Sequence, residues 1–218
     1  MKPGILYTLG ILAAIRACEL ILGWLLNTGF QADDLMGYSV VMLVGSLSLC
    51  FTLWFTKRLG LARVDVQGWS SVRPRWIVLS LLVHMPFANS IDIDPDFTDW
   101  VFYCFLAARV FSSLIVSPYI EETLFRGNLF RLLLDRGHLA AYTISTLGFL
   151  LWHFRVSNYL ITGDIGVTPL GALGIISSGL GACFVYSRTR SVLTCVVYHT
   201  MGNAIHWCFA FINLGYWG

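Results

Sequence analysis

Charge is what this 218-residue chain has least of. Lys, Arg, Asp and Glu make up 12% of it, about half the share of an average soluble protein. By contrast 57% of its residues are hydrophobic and its mean hydropathy is +0.73. That scarcity excludes a water-soluble domain and points to a polytopic membrane protein, because several stretches reach the roughly 20 apolar residues that cross a bilayer. An excess of one charge sign is missing too, and a net charge of +2 gives no footing for nucleic acid. The first apolar run continues to Leu26 without a small-residue cleavage site after a short core, so no removable signal peptide is expected. Cys18, Cys50, Cys104, Cys183, Cys195 and Cys208 form no CxxC pair and no metal-ligand spacing, and they read as small core residues. Repeats and low-complexity stretches are absent. The length suits one all-α helical bundle over 1–218, with no room for a separate soluble domain.

Apolar segments run approximately 4–26, 38–56, 76–91, 98–117, 138–158, 168–187 and 191–213. The loop Lys57–Arg75 carries Lys57, Arg58, Arg63, Arg73 and Arg75, whereas Asp33, Asp34, Asp92, Asp94, Asp96 and Asp99 sit in the loops 27–37 and 89–99. Positive residues stay on the cytoplasmic side, which places the basic loop and the N-terminus there. The segment Tyr119–Arg136 is harder to place, because it holds Glu121, Glu122, Arg126, Arg131, Asp135 and Arg136. As an interfacial helix it leaves seven crossings; as an embedded helix it makes eight. Charge bias mildly favours seven, since Arg188 and Arg190 then lie inside. Geometry favours eight. If 119–136 and 138–158 form a hairpin about Gly137, Glu121 and His153 each lie fifteen residues from the turn and reach nearly the same depth. In 168–187, Gly171, Gly174, Ser178, Gly181 and Ala182 recur at three- and four-residue spacings, a bare face that lets helices approach closely.

The few charges that are present concentrate. An ionised group at the bilayer centre costs on the order of 3 kcal/mol, so Glu121, Glu122 and Arg126 within SPYIEETLFRG must be paired, wetted or used. Glu122 and Arg126 are an i,i+4 pair in the favourable orientation, while Glu121 points about 100° away around the helix. Two adjacent carboxylates in low dielectric do not both ionise cheaply. The doublet therefore divides into a structural carboxylate and a free one suited to general-base work. His153 follows Phe149 by one turn, and His199 shares a face with Asn203. An imidazole beside a carboxamide makes a pair of donors for an oxyanion, although interhelical hydrogen bonding explains the same residues. Arg16 and Glu19 read as a local ion pair. Arg109 is within reach of Glu121 or a substrate carboxylate, with a structural partner the simpler reading. His84, His138 and His206 have no evident companions.

The order EExxxR, FxxxH, HxxxN resembles the CAAX-protease and bacteriocin-processing family of intramembrane glutamic endopeptidases, which includes the type II prenyl-protein endopeptidases. The matching residues are Glu121, Glu122, Arg126 and Gly127, then Phe149 and His153, then His199 and Asn203. The resemblance covers roughly 111–207, the protease core, and leaves the first hundred residues unmatched. It implies peptide hydrolysis without cofactor or metal. Glu121, aided by His153, would activate a water; His199 and Asn203 would hold the oxyanion; Glu122, Arg126 and Phe149 would support the site. Implied partners are the lipid bilayer and a peptide or protein substrate: a prenylated C-terminus, a leader peptide or a C-terminal sorting segment. Small size and short loops point to a prokaryotic inner membrane.

Three other readings use the same residues or the same composition. Glu121, His153 and His199 are a two-histidine, one-carboxylate set for zinc, although HExxH is absent. A non-catalytic immunity or scaffold protein, or a small transporter, accommodates buried charge, but a transporter calls for paired broken helices in two repeated halves. Serine chemistry lacks a GxSxG.

Overall fold

The computed structural model describes residues 72–88, 100–154 and 167–215, with the single positions 6, 8, 10, 13 and 54. The Arg16–Glu19 pair, both acidic loops, most of the basic loop and nearly all of the segments 4–26 and 38–56 fall outside them. Among the described residues all regular structure is helical. Helix α1 spans Pro74–His84 and closes in a 3-10 turn at Met85–Phe87. Proline at its first position lacks only an N–H that would have no helical partner there.

A long, irregular rod follows. Helix α2 (Trp100–Phe111) widens into a π-turn at Ser112–Val116 and continues as α3 (Ser117–Glu122). It widens again into a π-helical stretch at Thr123–Phe130, then ends in α4 (Arg131–Leu133) and a 3-10 turn at Leu134–Arg136. The first widening has a local cause. Pro118 has no N–H, so neither the Leu114 carbonyl (i−4) nor the Ser113 carbonyl (i−5) receives a backbone bond from it.

Gly137, at φ 104°, reverses the chain into α5 (His138–His153). The rod and α5 run antiparallel. Phe130 meets Tyr142 at 5.1 Å between ring centroids and Phe125 meets Phe149 at 5.4 Å, while Ser145 Oγ donates to the Phe125 carbonyl at 3.1 Å. Every residue from 120 to 130 is buried. This is the hairpin about Gly137, and it does not fit an interfacial helix lying apart from the bundle.

Helix α6 (Pro169–Thr189) starts at Thr168, whose hydroxyl caps the Gly171 N–H, and stops at Arg190 in the left-handed region. Helix α7 (Val192–Gly215) completes the described bundle. Among the described helices only α6, with 21 residues, is long and apolar enough to cross a membrane by length and composition. Helices α1 and α5, of 11 and 16 residues, are shorter than the span, and the rod is interrupted twice. The described helices therefore do not by themselves give the seven or eight crossings expected from hydropathy, and the continuous rod joins 98–117 and 119–136 into one segment, not the two separate crossings that a count of eight requires.

Burial is inverted relative to a soluble protein. Arg126 heads the fully buried side chains, while Leu82 is 69% and Leu139 83% exposed. A charged interior under an apolar coat suits lipid as the surrounding solvent. Cys183 and Cys195 are buried free thiols as expected of core residues, but Cys208 lies on that exposed coat.

The bare face of α6 is where three helices meet. Ser178 Oγ bonds His84 Nε2 at 2.9 Å, and His84 Nδ1 donates to the Ser80 carbonyl at 2.8 Å. Ser80 Oγ in turn donates to the Tyr198 carbonyl of α7 at 2.6 Å. His84 thus has companions that its own sequence neighbourhood only hints at, through Ser80 one turn earlier. Gly202 allows this fit: a Cβ there would lie 2.4 Å from His84 Nε2. Overpacking of this kind costs about 1–3 kcal/mol. Gly202→Ala should therefore lower the thermal unfolding midpoint in detergent, whereas Gly10→Ala, with nothing within 4 Å of the new methyl, should not.

Candidate active site

Helix α3 delivers two carboxylates to the interior, and its neighbours divide them. Glu122 Oε1 accepts from Arg126 NH1 at 3.0 Å and from His199 Nδ1 at 2.9 Å. Arg126 NH2 reaches across to the Gly179 carbonyl at 3.1 Å, and its guanidinium lies 4.3 Å from the centroid of the Phe149 ring. Neither Glu122 nor Arg126 has any exposed side-chain surface. The Phe149 ring also faces both imidazoles, at 4.6 Å from His153 and 5.7 Å from His199. This half is the structural pair anticipated from the i,i+4 spacing.

Glu121 is held differently. Ser117 Oγ, one turn earlier, donates to Oε1, and the Trp152 side chain also interacts with the carboxylate. Among the described residues Oε2 has no direct hydrogen-bond partner, although His153 Nε2 lies 3.8 Å and His199 Nε2 3.9 Å away. Both separations exceed a hydrogen bond and match a gap that a water bridges.

The proton positions follow from the outer contacts. His153 Nδ1 lies 2.8 Å from the Phe149 carbonyl, which only accepts, so Nδ1 carries the hydrogen. His199 Nδ1 faces the Arg126-paired carboxylate of Glu122 and is likewise the donor. With each Nδ1 so engaged, it is Nε2 of both rings that faces Glu121 Oε2, as an acceptor in a neutral ring and as an N–H donor in an imidazolium. Glu121 Oε2 and the two Nε2 atoms bound one small gap. His153, 29% exposed at its side chain, is the member nearest to the outside.

Asn203 is placed apart from this cluster. Its Nδ2 donates to the Ser113 carbonyl at 2.8 Å, and Thr200 Oγ1 donates to the Leu114 carbonyl at 2.7 Å. These are the two carbonyls within reach of position 118, where the proline nitrogen has no hydrogen to donate. Two side chains of α7 thus satisfy the broken turn that precedes the glutamates and tie it to the helix carrying His199. The sequence pairs Asn203 with His199 by spacing; it does not reveal that one Asn203 N–H is already committed. Arg109, also weighed as a partner for Glu121, lies over the Trp207 ring at 5.9 Å.

Glu121, Glu122, Arg126, Phe149, His153 and His199 therefore converge, and Asn203 joins them through the backbone of the π-turn. Ser117 and Thr200 escape the sequence reading. Ser117 stands four residues before Glu121, a spacing that flags a shared helix face, whereas nothing local marks Thr200. No three His, Cys, Asp or Glu side chains among the described residues are arranged to hold a metal ion.

Comparison with known proteins gives one positive finding. The family model described as type II CAAX prenyl endopeptidase Rce1-like matches residues 97–205, half of the chain, and spans Glu121, Glu122, Arg126, Phe149, His153, His199 and Asn203. No curated protein and no solved structure matches the chain significantly.

Removing one partner of a buried ion pair leaves an uncompensated charge, at a cost of about 3–5 kcal/mol. Arg126→Ala should therefore lose monodisperse, folded protein in detergent. Arg126→Lys should recover only part of it, since an ammonium does not span Glu122 and the Gly179 carbonyl as a planar fork does.

Proposed function

Because the chain belongs to the type II CAAX prenyl endopeptidase Rce1-like family, a family of membrane-embedded proteases acting on peptide or protein substrates, we propose that it is an intramembrane endopeptidase of the glutamic type. The observation that carries this reading is the gap bounded by Glu121 Oε2 and the two Nε2 atoms. A water there donates one hydrogen to Glu121 and the other to His153, which leaves its oxygen lone pair free for the scissile carbonyl. Glu121 takes the proton as the C–O bond forms. The resulting oxyanion accepts from His199 in its imidazolium form, a state stabilised by Glu122 behind Nδ1, as a carboxylate stabilises a catalytic imidazolium elsewhere. The second N–H of Asn203 is the other donor. Collapse of the intermediate breaks the C–N bond, and the proton held by Glu121 passes to the leaving amine.

In this reading residues 111–207 carry the reaction and the first hundred residues complete a single membrane domain. The rod, continuous from Trp100 to Arg136 and antiparallel to α7, is one embedded segment, which with the two N-terminal apolar segments makes seven crossings from a cytoplasmic N-terminus, in a prokaryotic inner membrane. A buried site restricts substrates to chains that arrive through lipid or its interface: a prenylated C-terminus, a leader peptide or a C-terminal sorting segment.

Glu121→Gln and His153→Ala should abolish cleavage while the protein still inserts and remains monodisperse. Losing one oxyanion donor costs on the order of 10²-fold or more in turnover, so Asn203→Ala should lower kcat far more than it raises KM. The readout is comparative terminomics of membranes holding wild type or Glu121→Gln at equal abundance, followed by kinetics on the peptide identified. New peptide ends confined to wild type carry the proposal. Full turnover by Glu121→Gln would end it.

A further inference from the structure

Aromatic contacts between helix ends define one level of the bundle. Trp76 in the first turn of α1 meets Phe184 near the end of α6, with 6.2 Å between centroids. Phe130 meets Tyr186 at 5.8 Å, and Tyr142 Oη donates to Ser187 Oγ at 3.1 Å. The start of α1, the end of α6 and the turn between the rod and α5 therefore lie together.

That level carries Arg73, Arg75, Arg131, Arg136, Arg188 and Arg190, with Asp135 the one carboxylate there among the described residues. The other two described arginines are Arg126 in the core and Arg109 over Trp207. Arg131 is half-buried and the other five are exposed.

Helix electrostatics account for some of these. Arg136 and Arg188 stand at C-terminal ends, where cations offset the negative end of the helix dipole. Arg73 and Arg75 do not fit that explanation. They flank the N-terminus of α1, where the dipole is positive and a cation is disfavoured. Among the described residues Asp135 is the one carboxylate at this level, so six arginines there leave an excess of positive charge that an anion outside the protein can offset.

The residue type narrows what it is. The whole chain has twelve arginines and two lysines. Net positive charge would be served equally by lysine, whereas a planar guanidinium pairs with two oxygens of one phosphate. The guanidinium of Arg75 lies 4.6 Å from the Trp76 ring centroid and that of Arg188 lies 5.3 Å from the Phe184 ring centroid. Such ring contacts restrain a guanidinium at the depth where aromatic side chains meet headgroups.

We propose that this arginine rim is a docking surface for the headgroups of anionic phospholipids in the leaflet it faces. Arg73 and Arg75 at the start of α1, with Arg188 and Arg190 at the end of α6, hold the phosphodiester oxygens. The test is full-length protein in nanodiscs of equal parts phosphatidylcholine and phosphatidylglycerol, with the retained lipids counted by mass spectrometry. Phosphatidylglycerol should be enriched about fivefold among them, the size expected of one arginine at a charged interface. High salt should erase the preference. The triple variant Arg75→Gln, Arg188→Gln, Arg190→Gln should abolish it, the corresponding triple lysine variant should keep only part of it, and Arg109→Gln should leave it unchanged. No enrichment by wild type overturns the proposal, whatever the folding of the variants. Full retention by the glutamine triple also overturns it, as does thermal stabilisation in phosphatidylcholine by inorganic phosphate equal to that given by phosphatidylglycerol.

Discussion

The buried pair of Glu122 and Arg126 is the constraint on which the rest depends. Both side chains are wholly removed from solvent, and each is worth its desolvation only when every neighbour is in place. Arg126 engages the Gly179 carbonyl, which fixes the rod against α6. Glu122 engages His199 Nδ1, which fixes the rod against α7 and sets which nitrogen of that ring faces the site. Phe149, under the guanidinium, fixes α5. A single ion pair thus orients three helices about the carboxylate beside it, and Glu121 Oε2 is left facing the two Nε2 atoms.

The two departures from α-helical winding have a related logic. Pro118 removes one donor from the ladder just ahead of the glutamates, and Thr200 and Asn203 of α7 donate to the carbonyls of that turn. The broken turn and the histidine helix are therefore locked to each other by the defect itself. The wide turn that follows carries Arg126 while keeping every residue from 120 to 130 inside. Interruptions of this kind are tolerated within a membrane where neighbouring side chains satisfy the freed backbone groups.

Much of this was legible in the chain. The i,i+4 spacing separates Glu122 from Glu121, equal distances from Gly137 bring Glu121 level with His153, and the small residues of α6 announce a close approach. Each of those inferences needs only helix periodicity and rise, which are local. Asn203 marks where such reasoning stops. Spacing puts it on the face of His199, but its bond to Ser113 depends on how α7 lies against the π-turn. The triad of Ser80, His84 and Ser178 is spread over two helices, with Gly202 of a third leaving room for it, and the crossing count rests partly on segments outside the described residues.

The sequence by itself determined the helical class, the membrane composition, the three motifs and the pairing of Glu122 with Arg126 that sets Glu121 apart, because apolar periodicity and short-range charge pairing are written at intervals of three and four residues. Only the tertiary structure decided which nitrogens face Glu121, that Ser117 holds its other oxygen, and that Thr200 and Asn203 complete the turn around Pro118. Those are contacts between helices, and their geometry is set by packing distances and hydrogen-bond directions that no one-dimensional spacing encodes.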